Sequence, residues 1–232
     1  MSTEAPVVEE KKVKAPSEPL FSKKNRKLLS DPMDDQNPIT VQVLGICSAL
    51  AITVQVKQAV VMSLSVLAVM VFGNMIISLM RNMIPDRIRI IVQLVVVASL
   101  VILVDQVLKA FAFEVSQALS VFVGLIISNC IIMGRLEAFA LGNKVWPSVL
   151  DGLGNAAAYG VILILVSVVR ELFGSGKLFG FELFGNATEG TGLYAIGYMN
   201  NNLMILPPMA LITVGVIIWI QRSRNRKLIE EN

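Results

Sequence analysis

Residues 41–54, VQVLGICSALAITV, and residues 121–133, VFVGLIISNCIIM, decide how this chain is read. Each is a short apolar segment, punctuated by a glycine (Gly45, Gly124), with one cysteine near its middle. Cys47 and Cys130 are the only cysteines among 232 residues, and there is no histidine. If these thiols hold a metal, they supply two ligands where a tetrahedral zinc or iron site needs four. A half-site implies a partner. The plain alternative is a free cysteine acting as a small buried hydrophobe, and spacing alone leaves both readings open.

Outward from these segments, the composition is 55% hydrophobic and 16% charged, too apolar for an ordinary soluble domain. A helix needs about 20 apolar residues to cross a hydrocarbon core about 30 Å thick. Six stretches reach or approach that length: about 39–56, 59–80, 88–108, 117–134, 150–170 and 203–221. Alternating barrel strands are absent, so the expected fold is an all-α integral membrane protein with six transmembrane helices. The half-repeats run over about 37–115 and 116–222. Three spans per half, an odd number, make the second half enter from the opposite face, an inverted repeat of three plus three. The first and fourth helices are the short or interrupted ones, and paired interruptions of this kind point to a site near the midplane. At about 1.5 Å per residue, Cys47 lies roughly 12 Å from the inner face and Cys130 about 14 Å from it. That near-coincidence of depth makes the half-site a competitive reading.

The formal charge of +3 carries no nucleic-acid signal, because the basic residues flank the spans instead of forming a stripe. An even number of spans puts both termini on one side, which collects sixteen of the twenty basic residues. Lys57, Lys109, Arg170 and Lys177 are assigned to the other side. The positive-inside rule then places both termini in the cytoplasm. Residues 1–36 form a Lys-, Glu- and Pro-rich segment without apolar period, expected as a disordered cytoplasmic tail. Its Lys23, Lys24, Arg26 and Lys27 either rest on anionic headgroups or are simply solvated. Residues 223–232 form a second, basic tail.

Asp105 is the only carboxylate inside an apolar run, and Asp151 and Glu171 bracket the fifth span. The absence of ionisable groups at mid-depth argues against a self-contained carboxylate-driven transporter. Asn74, Gln93, Ser128 and Asn129 are expected to serve interhelical hydrogen bonds. Glu137, two residues past Arg135, reads as a solvated span end. The GSGK run at 174–177 fails as a phosphate loop, since Leu178 stands where Ser or Thr is required. Without a histidine or a G-x-S-x-G, no nucleophile–base–acid constellation exists, and no catalytic residue is assigned.

The segments NPITVQVLGICSALAIT (37–53), IPDRIRIIVQLVVVASLVILVDQVLKA (84–110), LSVFVGLIISNCIIMGRLEAFA (119–140), LDGLGNAAAYG (150–160) and RELFGSGKLFG (170–180) carry a resemblance. From about Asn37 to Arg222 the chain resembles the D-subunit family of sodium-translocating NADH:quinone reductases. It is similar also to the E subunits of Rnf ferredoxin:NAD oxidoreductases, which remain an alternative, as does a non-redox inverted-repeat permease. The resemblance implies a bacterial inner-membrane component of a six-subunit complex, in which it joins the A, B, C, E and F subunits. That complex passes electrons from NADH to ubiquinone and exports Na⁺. The resemblance also implies that Cys47 and Cys130 are metal ligands, giving two thiolates to an iron or [2Fe–2S] centre shared with the homologous E subunit. The flavin-linking S/D-G-A-T motif of sister subunits is absent, so no covalent flavin is expected. Thiolate is a fitting ligand here because the metal neutralises a charge that hydrocarbon would otherwise penalise. Gly45, Ser48 and Ala49 are small enough to let backbones approach.

Overall fold

The computed structural model describes residues 28–29, 31–33, 36–85, 87–111, 123–175, 177–178, 181–182 and 202–224. Apart from a short antiparallel hairpin, β1 (Lys177–Leu178) and β2 (Phe181–Glu182), its regular structure is helical. In chain order the helices are α1 (Ile46–Ile52), α2 (Val56–Met80), α3 (Arg89–Phe111), α4 (Val123–Ile127) and α5 (Cys130–Arg135). A π-helical turn, Leu136–Ala140, continues α5. Then follow α6 (Val145–Ser175), a 3₁₀ turn (Asn202–Ile205) and α7 (Pro207–Arg224). Among the described residues three helices are long and apolar enough to cross a membrane: α2, α3 and α6.

The expected first span is broken, for reasons that are local. Asn37 Oδ1 accepts the N–H groups of Ile39 and Thr40 at 3.1 and 3.3 Å, with Pro38 at the position where a missing N–H costs nothing. The turn so started closes with Leu44 N–H on Pro38 O at 2.8 Å. Val43 and Gly45 then take left-handed backbone (φ 58° and 78°), which stops the turn and restarts the chain as α1. The expected fourth span is interrupted between α4 and α5, where Asn129 takes extended backbone and accepts Ile131 N–H at 3.1 Å. Both interruptions fall beside the cysteines, as the glycine-punctuated segments suggested.

The core is the crossing of α2 and α6. On α2 the buried positions Val56, Ala59, Met62, Val66, the pair Val69 and Met70, Gly73 and Ile77 follow one another at three- or four-residue steps apart from that pair, the stripe of a helix with one inward face. Close approach rests on small residues, since lipid offers helices no hydrophobic drive to associate. A Cβ on Gly152 would lie 2.6 Å from the Asn74 amide nitrogen, and one on Gly160 would overlap the Ser63 hydroxyl. Helix α3 buries little, and Ile90, Ile91, Val95, Ile102, Leu103 and Val107 all face outward. Such a surface suits lipid or a partner protein, not water.

Packing crosses between the halves. Helix α3 of the first half lies against α4 of the second, and α7 of the second lies against α1 of the first. Backbone atoms of Leu28 and Leu29 reach Gly154 on α6, so these tail residues rest on the helical unit. Residues 1–27, the half-repeat boundary near 115 and residues 225–232 lie outside the described residues.

Arg170, Asp151 and, largely, Glu171 are buried inside the helical unit, Arg170 to 1% exposure. One expectation changes. Glu137 is not simply solvated: it pairs with Arg89 at 2.5 Å and accepts from Gln93 Nε2 at 2.9 Å.

Candidate metal centre

Cys47 is the second residue of α1 and Cys130 the first of α5. Both are unbonded thiols on the protein surface. Each therefore stands at the restart of a broken span, in the turn whose N–H groups have no intrahelical acceptor. Their sequence neighbours face the other way: Ser48 and Asn129 are fully buried.

Those neighbours meet at one side chain. Tyr159 of α6 is fully buried, and its hydroxyl lies 2.6 Å from Ser48 Oγ and 3.4 Å from Asn129 Nδ2. The protons can be allocated. Ser48 Oγ donates to Gly45 O at 2.8 Å, so the Tyr159 hydroxyl donates to Ser48 and accepts from the Asn129 amide. A directed chain of hydrogen bonds thus runs from Asn129, the cap of α5, through Tyr159 and Ser48 to Gly45, the cap of α1. Gly45 also abuts Ile131, so the two restarts touch directly.

The far ends of these short helices are anchored by buried charge. Arg170 Nη1 donates to Thr53 Oγ1 at 2.6 Å and to Leu50 O at 3.4 Å, both at the C-terminal end of α1. The same guanidinium donates to Met204 O and Ile205 O ahead of α7, at 3.2 and 2.5 Å. Glu171 Oε2 accepts Val56 N–H at 2.6 Å, capping α2. A cation at the carbonyl end of α1 and an anion at the amide end of α2 each match the local backbone charge. At the end of α5, Arg135 forms a two-pronged ion pair with buried Asp151, which also accepts from Asn155 Nδ2 at 3.2 Å. Of the polar residues expected between helices, Asn74 donates to Ser148 O at 2.9 Å. Ser128, just past α4, donates back to Gly124 O in that helix and, among the described residues, does not reach another helix.

Among the described residues no group of three or more His, Cys, Asp or Glu gathers. The arrangement can offer thiolates to a soft or borderline metal such as iron, but only as part of a ligand set. Tyr159, Arg170 and Asp151 escaped the sequence reading as functional residues. A signal was present in LDGLGNAAAYG, where one large aromatic with a polar tip stands in a run of small residues and must find a partner when buried.

A family model described as "Rnf-Nqr subunit, membrane protein" matches residues 25–218. Among curated relatives, the D subunit of the Na(+)-translocating NADH-quinone reductase of Aeromonas salmonicida is 54% identical over 205 residues, 88% of this chain and 95% of its own. The protein of the same name from Psychromonas ingrahamii is 52% identical over 88% of this chain and 94% of its own. That from a Shewanella species is 48% identical over 90% of this chain and 97% of its own.

Proposed function

Because this chain belongs to the Rnf-Nqr family of membrane subunits, we propose that it acts as the D subunit of a Na⁺-translocating NADH:quinone reductase, an enzyme complex of the bacterial cytoplasmic membrane. In this reading Cys47 and Cys130 are two ligands of an iron or [2Fe–2S] centre completed by the homologous E subunit, with the A, B, C and F subunits forming the rest of the complex. Iron held there by Cys47, Cys130 and the partner's ligands would supply one-electron transfer.

One observation carries the proposal. The only two thiols of the chain are exposed at the restarts of two broken spans, while the residues beside them are buried and hydrogen-bonded to one tyrosine. Packing cysteines would point inward. These point outward, as half of a shared ligand set must. The donor set fits iron, since thiolates are its common ligands, and a two-donor surface fits a centre held between chains. The packing of α3 and α7 against the opposite half supports the inverted repeat, and the charge bias supports cytoplasmic termini for a six-pass chain.

The chain's own residues then do three things. Asn129 and Gly45 cap the turns that present the thiols, Tyr159 ties those turns together, and Arg170 with Glu171 fixes α1 against α2. In the same reading the chain holds no covalent flavin, as the absent S/D-G-A-T motif implies.

Cys47→Ala and Cys130→Ala in the purified complex are each expected to abolish the iron signal and NADH-driven quinone reduction. NADH oxidation by artificial acceptors, taken from the upstream flavin-bearing protein, survives. The double variant is no worse than either single, because ligands of one centre act as a unit. Full quinone reduction by an assembled Cys47→Ala complex removes the basis of the proposal.

A further inference from the structure

We propose that Tyr159 is a positioning residue that sets the spacing and orientation of the Cys47 and Cys130 thiols. The inference rests on the ligand reading above and extends it to a residue on a third helix. Tyr159 touches the two cysteine-bearing turns at once, through Ser48 on one side and Asn129 on the other. These are the residues immediately after Cys47 and immediately before Cys130.

The geometry has the properties of a clamp. The hydroxyl is buried, and both partners are fully buried too, so water does not compete for the bonds. Every proton in the chain from Asn129 to Gly45 has one assignment, because Ser48 already donates to Gly45 O and Asn129 Oδ1 already accepts Ile131 N–H. Reversing any link leaves a buried donor facing a donor. The tyrosine ring adds a second constraint, since a Cβ on Gly45 would lie 3.3 Å from its Cε2. Helices α1 and α5 are short, with 7 and 6 residues, too short to hold a fixed relation by their own turns. Helix α6, with 31 residues, is the rigid body against which both are referenced.

A centre bridging two chains is sensitive to such a reference. Its potential and line shape follow the positions and hydrogen-bonded surroundings of its ligands. Deleting one oxygen atom of Tyr159, which the chain places beside the cysteines without making it a ligand, should therefore alter the centre without removing it.

The test compares Tyr159→Phe and Ser48→Ala in the purified complex. For Tyr159→Phe we expect iron to be retained, the electron paramagnetic resonance lines to broaden, the midpoint potential to shift and quinone reduction to fall several-fold with KM for NADH unchanged. After iron depletion, alkylation by a maleimide, resolved by peptide mass spectrometry, should accelerate several-fold at both Cys47 and Cys130. Ser48→Ala cuts the same chain one link further on and shifts both readouts in the same direction. The double variant goes no further than Tyr159→Phe alone. An assembled Tyr159→Phe complex with native spectrum, potential and alkylation rates overturns the proposal, and so does acceleration confined to one thiol. If Tyr159→Phe does not assemble, Ser48→Ala decides by the same readouts. Iron retained in Cys47→Ala would instead overturn the ligand reading, while the alkylation rates still judge the clamp.

Discussion

Gly45 is the position where a single added carbon should do most damage. Its φ of 78° lies in the left-handed region, which costs an L-residue about 1–2 kcal/mol. A Cβ there would stand 2.7 Å from Ile131 Cδ1 and 3.1 Å from its Cγ1. Ile131 is fully buried and stiff about χ1, and the buried Tyr159 ring closes the other flank, so relief requires α1 and α5 to move apart. Overpacking of that kind costs about 1–3 kcal/mol. Gly45→Ala should therefore destabilise by about 2–5 kcal/mol, the sum of the two contributions. For a chain of this length each kcal/mol lowers the melting temperature by about 2–4 °C, so a loss of at least roughly 4 °C is expected. The assay is the thermal midpoint of this chain in the purified complex, followed by proteolysis-coupled electrophoresis. Gly124→Ala is the matched control. A Cβ at Gly124 meets nothing within 4 Å and the backbone is ordinary, so that variant should stay neutral within about 1 kcal/mol. If Gly45→Ala melts with Gly124→Ala, the account of the broken span is wrong.

Two other outcomes follow from the same geometry. Arg135→Met should destabilise the complex by about 3–5 kcal/mol because it strands the Asp151 charge in a buried site, while Arg135→Met with Asp151→Asn should recover most of that loss; equal melting of the single and double variants would show that the ion pair is not what matters. A reporter fused after Asn232 should be active only in its cytoplasmic form, as the sixteen-to-four division of basic residues requires. Activity of an exported reporter at that position would invert the topology.

The apolar runs announced α2, α3 and α6 because hydrocarbon satisfies no backbone hydrogen bonds: a crossing segment must be helical, long and nearly free of charge. The same reasoning marked the spans around Gly45 and Gly124 as interrupted. It misjudged Glu137, since a charge near the end of an apolar run looks solvated in a linear reading. A side chain's partner, however, comes from another helix: Leu50 and Thr53 for Arg170, Arg89 for Glu137.

Taken by itself, the sequence determined the class of the protein, the three long apolar helices α2, α3 and α6, and the two thiols, all properties of local composition acting against a fixed solvent. The tertiary structure decided which way the thiols face and what holds them. Tyr159 lies 111 residues from Ser48 and 30 from Asn129, and the hydrogen bonds that join them exist only once α6 has packed against both broken spans. No periodicity encodes a bond between residues that far apart, because its energy depends on burial and angle, which arise only when helices meet.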